Sequence, residues 1–362
     1  MLNFSPTEEQ EEIRRLAHSI AIDQLRPQAR SAEKNGDIAP ALMETLAQTG
    51  LTTPFPEDYG GNGSMEAIPY TLIAEELGFG DAGLAMNIIG SFMGPVAVSL
   101  AGNEKQQEQY VFPFGNGRQG STERGSLAYA ERTGGYTLAD ISTTARRDGD
   151  HYVLNGTKRD VIHGGKSQPR VVLARLEGSN DLCGFVLPAQ VEGMRVVEDA
   201  QKLGLIAAPS ASYAFDNAVI PASSLLGELG NPGIVRTAAL CNILRAGVAC
   251  GTARAALEYA GKYAEERIAF GRPIVSYQGI AFMIAEMAMK LDGVRLLVWS
   301  AAAGWDRGVE LETLTRDAQA AQFQATTIAK SATIDAVQIM GGAGFMQDHP
   351  VEMWMRNAAA ME

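Results

Sequence analysis

Two short segments in the last third of the chain carry residue types that could contact a ligand. Their chemistry-bearing residues are Arg267, Phe270, Gly271, Gln278, Gln338, Gly341 and Gly342. A guanidinium group can donate two hydrogen bonds to phosphate oxygens, and a glycine lets the backbone approach a ligand closely. Simpler interpretations also exist: Arg267 could pair with Glu265 or Glu266, Phe270 could pack in a core, and two glycines could let helices pack closely.

The elements that position these segments must belong to a chain of more than one packed unit. The chain has 362 residues, more than the roughly 250–300 at which a single core stops growing. Changes of sequence texture place boundaries near residues 120 and 228. We therefore predict an α+β protein with an amino-terminal helical domain (1–120), a middle β domain (121–228) and a carboxy-terminal helical bundle (229–362).

The amino-terminal unit has helical patterning with short breaks. Ser5 is expected to cap the first helix, with Pro6 in its first turn and Glu8 completing a capping box. The helix is expected to continue to about Leu25, and helical patterning extends to about Tyr110. This pattern predicts a unit made of helices alone.

The middle unit consists of short β-type runs separated by turns. The runs are 141–145, 152–154, 171–174, 183–187, 195–197 and 212–215. Gly149 and Gly156, each beside an aspartate or asparagine, supply the positive φ angles that tight hairpins need. These features predict a small, mostly antiparallel β barrel or sheet.

The carboxy-terminal unit contains a long amphipathic helix. Its apolar residues recur every three to four positions: Ile280, Ile284, Met287, Leu291, Val294, Val298 and Ala301. Glu286 is placed to pair with Lys290 on the outer face. Such a stripe is typical of a helix bundle.

Composition excludes several classes of partner. The chain is 46% hydrophobic and 20% charged, with a net charge of −12, so nucleic acid is not an expected partner. The sequence shows neither a signal peptide nor an apolar run of the roughly 18–20 residues expected of a membrane span. Cys183, Cys241 and Cys250 lack metal-ligand spacing and are expected to be buried thiols. We expect a cytoplasmic protein with no metal site.

Several separated motifs occur in one order along the chain: 148–158 (Asp-Gly-Asp-His-Tyr-Val-Leu-Asn-Gly-Thr-Lys), 203–205 (Leu-Gly-Leu), 219–227, 267–278 and 338–344. With these motifs the chain resembles the acyl-CoA dehydrogenase family from Phe4 to about Arg356. The resemblance implies FAD as cofactor, an acyl-CoA thioester as substrate, and electron-transferring flavoprotein as electron acceptor. It also implies a dimer or tetramer, formed by copies of this chain or with a homologous dehydrogenase subunit.

The resemblance assigns the seven residues named first to the adenosine-diphosphate side of the FAD site. In the family, the arginine matched by Arg267 reaches the cofactor diphosphate of a neighbouring subunit. Phe270 and Gly271 would lie by the cofactor, and Gln278 would hydrogen-bond nearby. Gln338, with the two glycines that follow it, matches the segment at the adenine and ribose end.

The opposite, flavin-ring side departs from the family pattern. The threonine that bonds the flavin pyrimidine is replaced by Ala130, and a serine on the thioester side by Tyr136. The Trp-Ile-Thr that covers the flavin is Asp160-Val161-Ile162 here. On the following long helix, residues 239, 241 and 242 replace groups that in some family members bracket the substrate or act as base.

The catalytic base cannot be assigned from the sequence. The chain stops at Glu362, about three positions short of the segment in which the family usually carries its base, and Glu362 is expected to be an exposed helix end. His163 and His349 have no partner at metal or triad spacing, and Glu131 alone defines no acid–base pair.

The preserved and altered halves together suggest a division of labour. The preferred hypothesis is a subunit of a heteromeric acyl-CoA dehydrogenase, an oxidoreductase of fatty acid or lipid metabolism, which lends its adenosine-side contacts to a complete partner chain. One alternative is a self-sufficient homotetrameric FAD-dependent acyl-CoA dehydrogenase. Another is a non-enzymatic assembly or CoA-ester binding module. Acyl chain length and type stay open.

Overall fold

The computed structural model describes residues 6–61, 63, 65–115, 123–131, 137–179, 181–198 and 201–362. Helices come first and last, with a sheet between them. The amino-terminal helices are α1 Glu8–Ile20, α2 Arg26–Asn35, α3 Pro40–Gln48, α4 Ala67–Gly80, α5 Ala82–Ala101, α6 Glu104–Tyr110 and α7 Phe112–Gly115. This arrangement agrees with the predicted α+β class, while the domain boundaries at 120 and 228 remain predictions.

The first helix begins later than the sequence suggested. Thr7 is its N-cap, accepting a hydrogen bond from the Gln10 backbone N–H, and the Gln10 side chain bonds back to the Thr7 N–H. The expected cap at Ser5 was therefore wrong for this helix, and Ser5 itself lies outside the described residues. The expected continuation to Leu25 includes a π-helical turn, Ala21–Leu25, before α2 begins.

The middle unit is a seven-stranded mixed sheet. Its strands are β1 Ser126–Ala128, β2 Thr144–Asp148, β3 His151–Ile162, β4 Arg170–Leu176, β5 Leu182–Leu187, β6 Glu192–Glu198 and β7 Ser210–Pro221. The order is β1-β4-β2-β3-β7-β6, with β5 also paired to β4. Strand β4 runs parallel to β1 and β2, and the other pairs are antiparallel.

The two glycines expected at hairpin turns have different roles. Gly149 does form the β2–β3 turn, with φ +58° between the paired residues Asp148 and His151. Gly156 instead lies inside β3, at a register shift against β7, with φ +141°. A Cβ there would lie 2.6 Å from the Thr143 hydroxyl oxygen, so this glycine allows a bulge and not a turn.

The carboxy-terminal unit is built from four helices: α8 Pro232–Glu266, α9 Gln278–Asp306, α10 Leu311–Met340 and α11 Val351–Met361. The two-stranded ribbon β8 Ile268–Ala269 and β9 Arg272–Pro273 lies between α8 and α9. Most of the predicted α9 stripe is buried, from Met287 to Ala301. Glu286 and Lys290 form the predicted ion pair at 3.1 Å.

Helices α4 and α8 cross with almost no space between their backbones. A Cβ on Gly251 would lie 1.9 Å from the Glu75 carbonyl oxygen, and one on Gly78 would lie 2.3 Å from the Val248 carbonyl oxygen. Only residues without a side chain fit at these two points. The crossing therefore joins the amino-terminal helices to the carboxy-terminal bundle at one fixed distance.

Buried charges surround the same crossing. The Glu75 carboxylate on α4 pairs with Arg254 on α8 at 3.2 Å and with Arg295 on α9 at 2.9 Å. Its neighbour Glu76 also pairs with Arg254 and bonds the His18 Nδ1 at 2.8 Å. Since isolated buried charges are costly, these pairs fix which helix faces can meet.

Two helices have the length and composition of a membrane span, contrary to the expectation that no apolar run would come close to that length. They are Ala82–Ala101 and Pro232–Glu266. In the fold, however, 89% and 83% of their most apolar windows are buried inside the protein. The protein core therefore accounts for their apolar composition.

Asp81, which caps α5, gives a testable pH dependence. Its carboxylate is 1% exposed and accepts hydrogen bonds from the Leu84 N–H and the Asn357 amide. Burial raises the pKa of Asp81 from 3.8 to about 6. Below about pH 3.8 the Asp81 carboxyl is protonated in both the folded and the unfolded chain, and above about pH 6 it is ionised in both. The free energy of unfolding therefore falls by about 3 kcal/mol as the pH rises from the unfolded-state pKa to the folded-state pKa of Asp81.

We expect Asp81→Asn to remove this part of the pH dependence. The check is urea unfolding of the wild type and the variant at several pH values from 4 to 8, with the exposed Asp23→Asn as control. The difference in unfolding free energy between wild type and Asp81→Asn should change across pH 4–6 and stay constant above. A constant difference over the whole range would contradict the assignment.

Candidate functional site

The first predicted ligand-binding segment forms an exposed corner after α8. Arg267 ends that helix, and its carbonyl accepts a hydrogen bond from Ile274 across the ribbon. Phe270 is 98% exposed and adopts φ +51°, and Gly271 follows with φ +85°. Gln278 is exposed at the first position of α9. A phenylalanine held in the left-handed region with almost its whole side chain in solvent is unusual for a core residue.

The second segment lies at the same end of the bundle. Gln338 is exposed in the last turn of α10, and Gly341 leaves the helix with φ +56°. Neither Gly341 nor Gly342 has an atom within 4 Å of where a Cβ would sit, so close helix packing does not explain them.

Helices α9 and α10 run antiparallel through the link at residues 307–310, so the start of one lies beside the end of the other. The electrostatics agree with this arrangement. Partial burial raises the pKa of Asp335 on α10, opposed by Lys290 and reinforced by Glu286, both on α9. The two predicted segments are therefore neighbours, and all seven of their residues are exposed.

A cavity of about 640 Å³ opens elsewhere on the chain, between the sheet and the carboxy-terminal helices. Its walls come from the end of β3, the 202–210 loop, and helices α5, α8, α10 and α11. The lining residues include Asp160 and Ile162, but none of the seven adenosine-side residues. The seven residues therefore lie outside the lining of this cavity.

Asp160 and Ile162 reach the cavity because β3 is irregular at its end. The pairing with β7 shifts between Lys158 and Val161, and Asp160 adopts φ +54°. Ile162 packs against Gly90 of α5, where a Cβ would lie 2.5 Å from its methyl carbon. The altered flavin-loop residues thus do line a cavity, where they present a carboxylate and an alkyl group.

Two of the other altered residues, Ala130 and Ala239, are buried and do not line this cavity. Ala130 is buried, and its carbonyl accepts the Arg159 N–H. The neighbouring Tyr129 hydroxyl donates to the Asn242 amide oxygen at 2.9 Å, which ties the sheet to α8. Ala239 is also buried. Tyr136 lies outside the described residues.

Glu131 has a partner that the sequence did not reveal. Its carboxylate bonds the Lys158 ammonium at 2.6 Å and accepts the backbone N–H groups of Ser142 and Thr143 at 2.7 and 2.9 Å. Burial would raise the pKa of Glu131, but the Lys158 charge and these hydrogen bonds lower it to about 2. Complete burial lowers the pKa of Lys158 to about 8. Both groups are therefore charged at neutral pH. In the sequence, the sign of this ion pair was Lys158, a charged residue at a position of the strand where the alternation places side chains in the core.

The two histidines singled out from the sequence each form a hydrogen bond within the fold. His163 is buried, bonds the Asn87 carbonyl at 2.8 Å, and has a pKa lowered by burial to about 4. His349 bonds the Tyr259 hydroxyl at 2.8 Å. The three cysteines are free thiols, with Cys183 and Cys250 buried and Cys241 partly so. Among the described residues, no cluster of three possible metal ligands occurs.

Glu362 follows α11, where it lines the cavity and pairs with Lys330 of α10. Its side chain is 39% exposed, as expected for a helix end. The carboxylate is ion-paired and partly solvated, so its contacts give no support for assigning it the proton-abstraction role.

Arg245 on α8 was not singled out from the sequence, but it lines the same cavity. Its side chain is only 7% exposed, and its Nε and Nη2 donate to the Met361 carbonyl at 3.1 and 2.7 Å. The sequence does contain a feature that could have singled it out, because Arg245 is the one charged residue between positions 237 and 253.

The fold has three parts: a first group of helices, a mixed sheet and a second group of helices. A cavity lies where the sheet meets the second group. These features define a three-part α+β class of protein. Family comparisons match the same three parts. The acyl-CoA dehydrogenase amino-terminal, middle and carboxy-terminal domains match residues 7–118, 126–218 and 232–362.

Individual proteins agree with the domain matches. An acyl-CoA dehydrogenase of Bacillus subtilis (strain 168) is 32% identical, over 97% of this chain and 93% of that protein. The structure of butyryl-CoA dehydrogenase from Megasphaera elsdenii matches with a TM-score of 0.85 and 29% identity, over 99% and 95% of the two chains. A chain from a structure of the electron transferring flavoprotein of Acidaminococcus fermentans matches with a TM-score of 0.85 and 30% identity, over 99% and 94%.

The chain therefore belongs to the acyl-CoA dehydrogenase family. This is a family of FAD-dependent dehydrogenases, so the assignments of family, fold, enzyme class and cofactor made from the sequence are confirmed. The roles of the seven adenosine-side residues remain predictions.

The Glu131–Lys158 pair gives a second test. Lys158→Met would leave a buried carboxylate without its cation, which costs about 3–5 kcal/mol in proteins. We expect a loss of that size in urea unfolding, and a smaller loss for Lys158→Met combined with Glu131→Met. Lys290→Met removes the same charge from an exposed pair and should change stability little. If Lys158→Met alone were as stable as the wild type, the Glu131–Lys158 ion pair would make no contribution to the free energy of unfolding.

Proposed function

We propose that this chain is a subunit of an acyl-CoA dehydrogenase that removes hydrogens from the α and β carbons of an acyl-CoA thioester with FAD. In this proposal the seven adenosine-side residues contact the FAD held against a neighbouring subunit. The observation that carries the proposal is their position: all seven are exposed at one end of the α9–α10 pair, and none lines the chain's own cavity.

The adenosine-side corner has the properties that a dinucleotide requires. The Arg267 guanidinium is exposed and can donate two hydrogen bonds to a diphosphate. The glycines at 271, 341 and 342 leave open space where other residues would project a side chain, so a backbone–ligand contact is sterically possible. These residues fit the tail of FAD.

The flavin-ring side fits less well. Ala130 has no hydroxyl to donate, and Ile162 presents an alkyl group. Each missing hydrogen bond is worth roughly 0.5–1.5 kcal/mol, and the Asp160 carboxylate would disfavour negative charge on a reduced ring. When bound, FAD supplies the hydride acceptor. This chain's residues would orient the acyl group and exclude water, while a complete partner chain supplies the better ring site and the base.

An apolar stripe on the bundle supports association with another subunit. Phe282, Met289 and Leu296 recur every seven residues on α9, and all three are exposed. They lie on a different face from the buried stripe of the same helix. An exposed row of large apolar side chains is typical of a subunit interface.

A self-sufficient homotetramer is the second candidate. It is favoured by the cavity beside Asp160, which this chain retains with a volume of about 640 Å³. In a symmetric assembly each copy would receive the adenosine-side corner of another copy. Electron-transferring flavoprotein as acceptor and a cytoplasmic location belong to both candidates.

The FAD content of purified protein separates the two candidates. The chain is purified alone and together with a co-expressed homologous dehydrogenase chain, and FAD per chain is read from the visible absorption spectrum. We expect little FAD in the isolated chain and about one FAD per partner chain in the complex. One FAD per chain with dehydrogenase turnover by the isolated protein would overturn the heteromer in favour of the homotetramer.

Substitution of Arg267 tests the shared contact directly. Arg267→Met removes charge-assisted bonds to the diphosphate, so FAD affinity of the assembly should fall at least about tenfold. The control is Arg272→Met in the ribbon that follows Arg267, where the Arg272 guanidinium stacks on the Tyr277 ring at 4.1 Å. Equal FAD affinities for the two variants would contradict the role given to Arg267.

A further inference from the structure

A second cavity, of about 800 Å³, opens where the end of β3 meets the amino-terminal helices. Ile162, the last residue of β3, lines the 640 Å³ cavity, and the next residue, His163, lines this one. Its wall contains none of the seven adenosine-side residues, so contacts with the tail of FAD do not account for it. We call it the polar cavity, and its walls come from segments 35–37, 123–124, 163–168 and 202–210.

His163 is the buried polar residue of this wall. It is 6% exposed, and its Nε2 lies 2.8 Å from the Asn87 carbonyl oxygen of α5. A carbonyl oxygen only accepts hydrogen bonds, so Nε2 carries the ring proton and donates it. Burial lowers the pKa of His163 to about 4, so the ring is neutral at pH 7. The second ring nitrogen, Nδ1, is therefore an unprotonated acceptor.

The Nδ1 atom of His163 faces the polar cavity. Within the part of the chain that the structure describes, the only hydrogen bond of the ring is the one from Nε2. Nδ1 is not enclosed either, because the fully buried polar atoms without a partner belong to other side chains, such as Asn87 and Trp354. An accessible atom of a buried residue that lines a cavity is reached from that cavity. The wall thus presents a hydrogen-bond acceptor that the protein itself does not satisfy.

Asn87 also fixes a second group of the same wall. Its side-chain Nδ2 donates to Asp37 Oδ1 at 2.8 Å and to the Ala207 carbonyl at 2.6 Å. Asn87 itself is fully buried. One residue of α5 therefore holds both the His163 ring and the Asp37 carboxylate in place before a ligand arrives. Groups that are fixed in advance lose little conformational freedom on binding, which favours affinity.

The charges of the cavity wall have both signs. Asp37 and Glu123 contribute carboxylates, and Lys166 contributes an exposed ammonium group. An ionised ligand of either sign therefore meets a like charge on this wall. The wall also includes the amides of Asn35 and Gln168, each of which both donates and accepts hydrogen bonds. This mixture suits a ligand with several neutral donors and acceptors.

We propose that the polar cavity binds a small uncharged polyol, with one hydroxyl group donating a hydrogen bond to His163 Nδ1. A hydroxyl group both donates and accepts while staying neutral, so adjacent hydroxyls match an acceptor that lies beside carboxylates and amides. No Phe, Tyr or Trp occurs in the described lining, so the apolar face of a sugar ring has no stacking partner there. An open-chain polyol fits this wall better. The binding requires neither FAD nor an acyl-CoA thioester and is independent of the proposed function.

A purely structural role for His163 predicts a different result. If the ring only anchors the end of β3 to Asn87, water bonds Nδ1, and an added polyol changes no histidine signal selectively. A polyol that acts as a general osmolyte raises stability by exclusion from the protein surface, without contacting His163. A signal change confined to His163 separates specific binding from both of these effects.

The probes are sorbitol, gluconate and glucamine, which share a six-carbon polyol chain and differ in charge at one end. The whole chain, labelled with 15N at histidine, is titrated with each probe at pH 7 and followed by NMR. The chain contains four histidines, so the His163 signals can be assigned by substitution. We expect sorbitol to shift the His163 Nδ1 resonance saturably and to leave the other three histidines unchanged. Sorbitol should bind at least about threefold more tightly than either charged probe.

Two variants of His163 test the contact by calorimetry. His163→Leu removes the acceptor and should weaken sorbitol binding at least about threefold, whereas His163→Gln keeps a donor for Asn87 and an acceptor for the ligand and should retain most of it. The matched control is His151→Leu, which removes an exposed histidine from the start of β3 and should leave binding unchanged.

Melting curves identify a variant that does not fold, and if His163→Leu is one, the wild-type Nδ1 shift decides the question alone. No selective His163 shift with sorbitol, or equal sorbitol affinity for folded His163→Leu and wild type, would overturn the assignment of this cavity. Tighter binding of gluconate or glucamine than of sorbitol would overturn the choice of an uncharged ligand. None of these outcomes bears on FAD binding by the adenosine-side residues.

Discussion

The structure depends on the close crossing of α4 and α8. At Gly78 and Gly251 the two backbones approach so closely that no side chain fits between them. Around this contact, the buried carboxylates of α4 pair with arginines from α8 and α9. Because α8 also carries Arg245 on the cavity wall and ends at Arg267, the same helix positions a residue at each of the two candidate binding regions.

Features that depend on local periodicity were predicted correctly from the sequence. Predictions were wrong where the same local sequence allows two structures and tertiary contacts determine which one forms. The α9 stripe and the Glu286–Lys290 pair follow from helix geometry alone, and both occur. At the amino terminus, Ser5 with Glu8 and Thr7 with Gln10 are overlapping capping patterns, and nothing local selects the second. The positive φ predicted at Gly156 occurs, but the sequence did not predict that the strand would continue through this residue.

The candidate site shows the same limit. The seven adenosine-side residues could be named from the sequence because they form two contiguous motifs, and the fold places these motifs at one end of an antiparallel helix pair. Lys158 and Arg245 could not be named, because their meaning depends on partners about 27 and 116 positions away. Glu131 and the carbonyl of Met361 become partners only after the sheet and the bundle have formed.

The exposure of Phe270 has a consequence for how such an assembly behaves when diluted. In the proposed assembly, Phe270, whose side chain is 98% exposed in the isolated chain, contacts FAD only after another protomer arrives. Occupancy of the prosthetic group and subunit association are then governed by a single mass-action equilibrium. Loss of yellow colour and dissociation into smaller species would occur together, at a concentration set by the contact between protomers and not by the nucleotide alone.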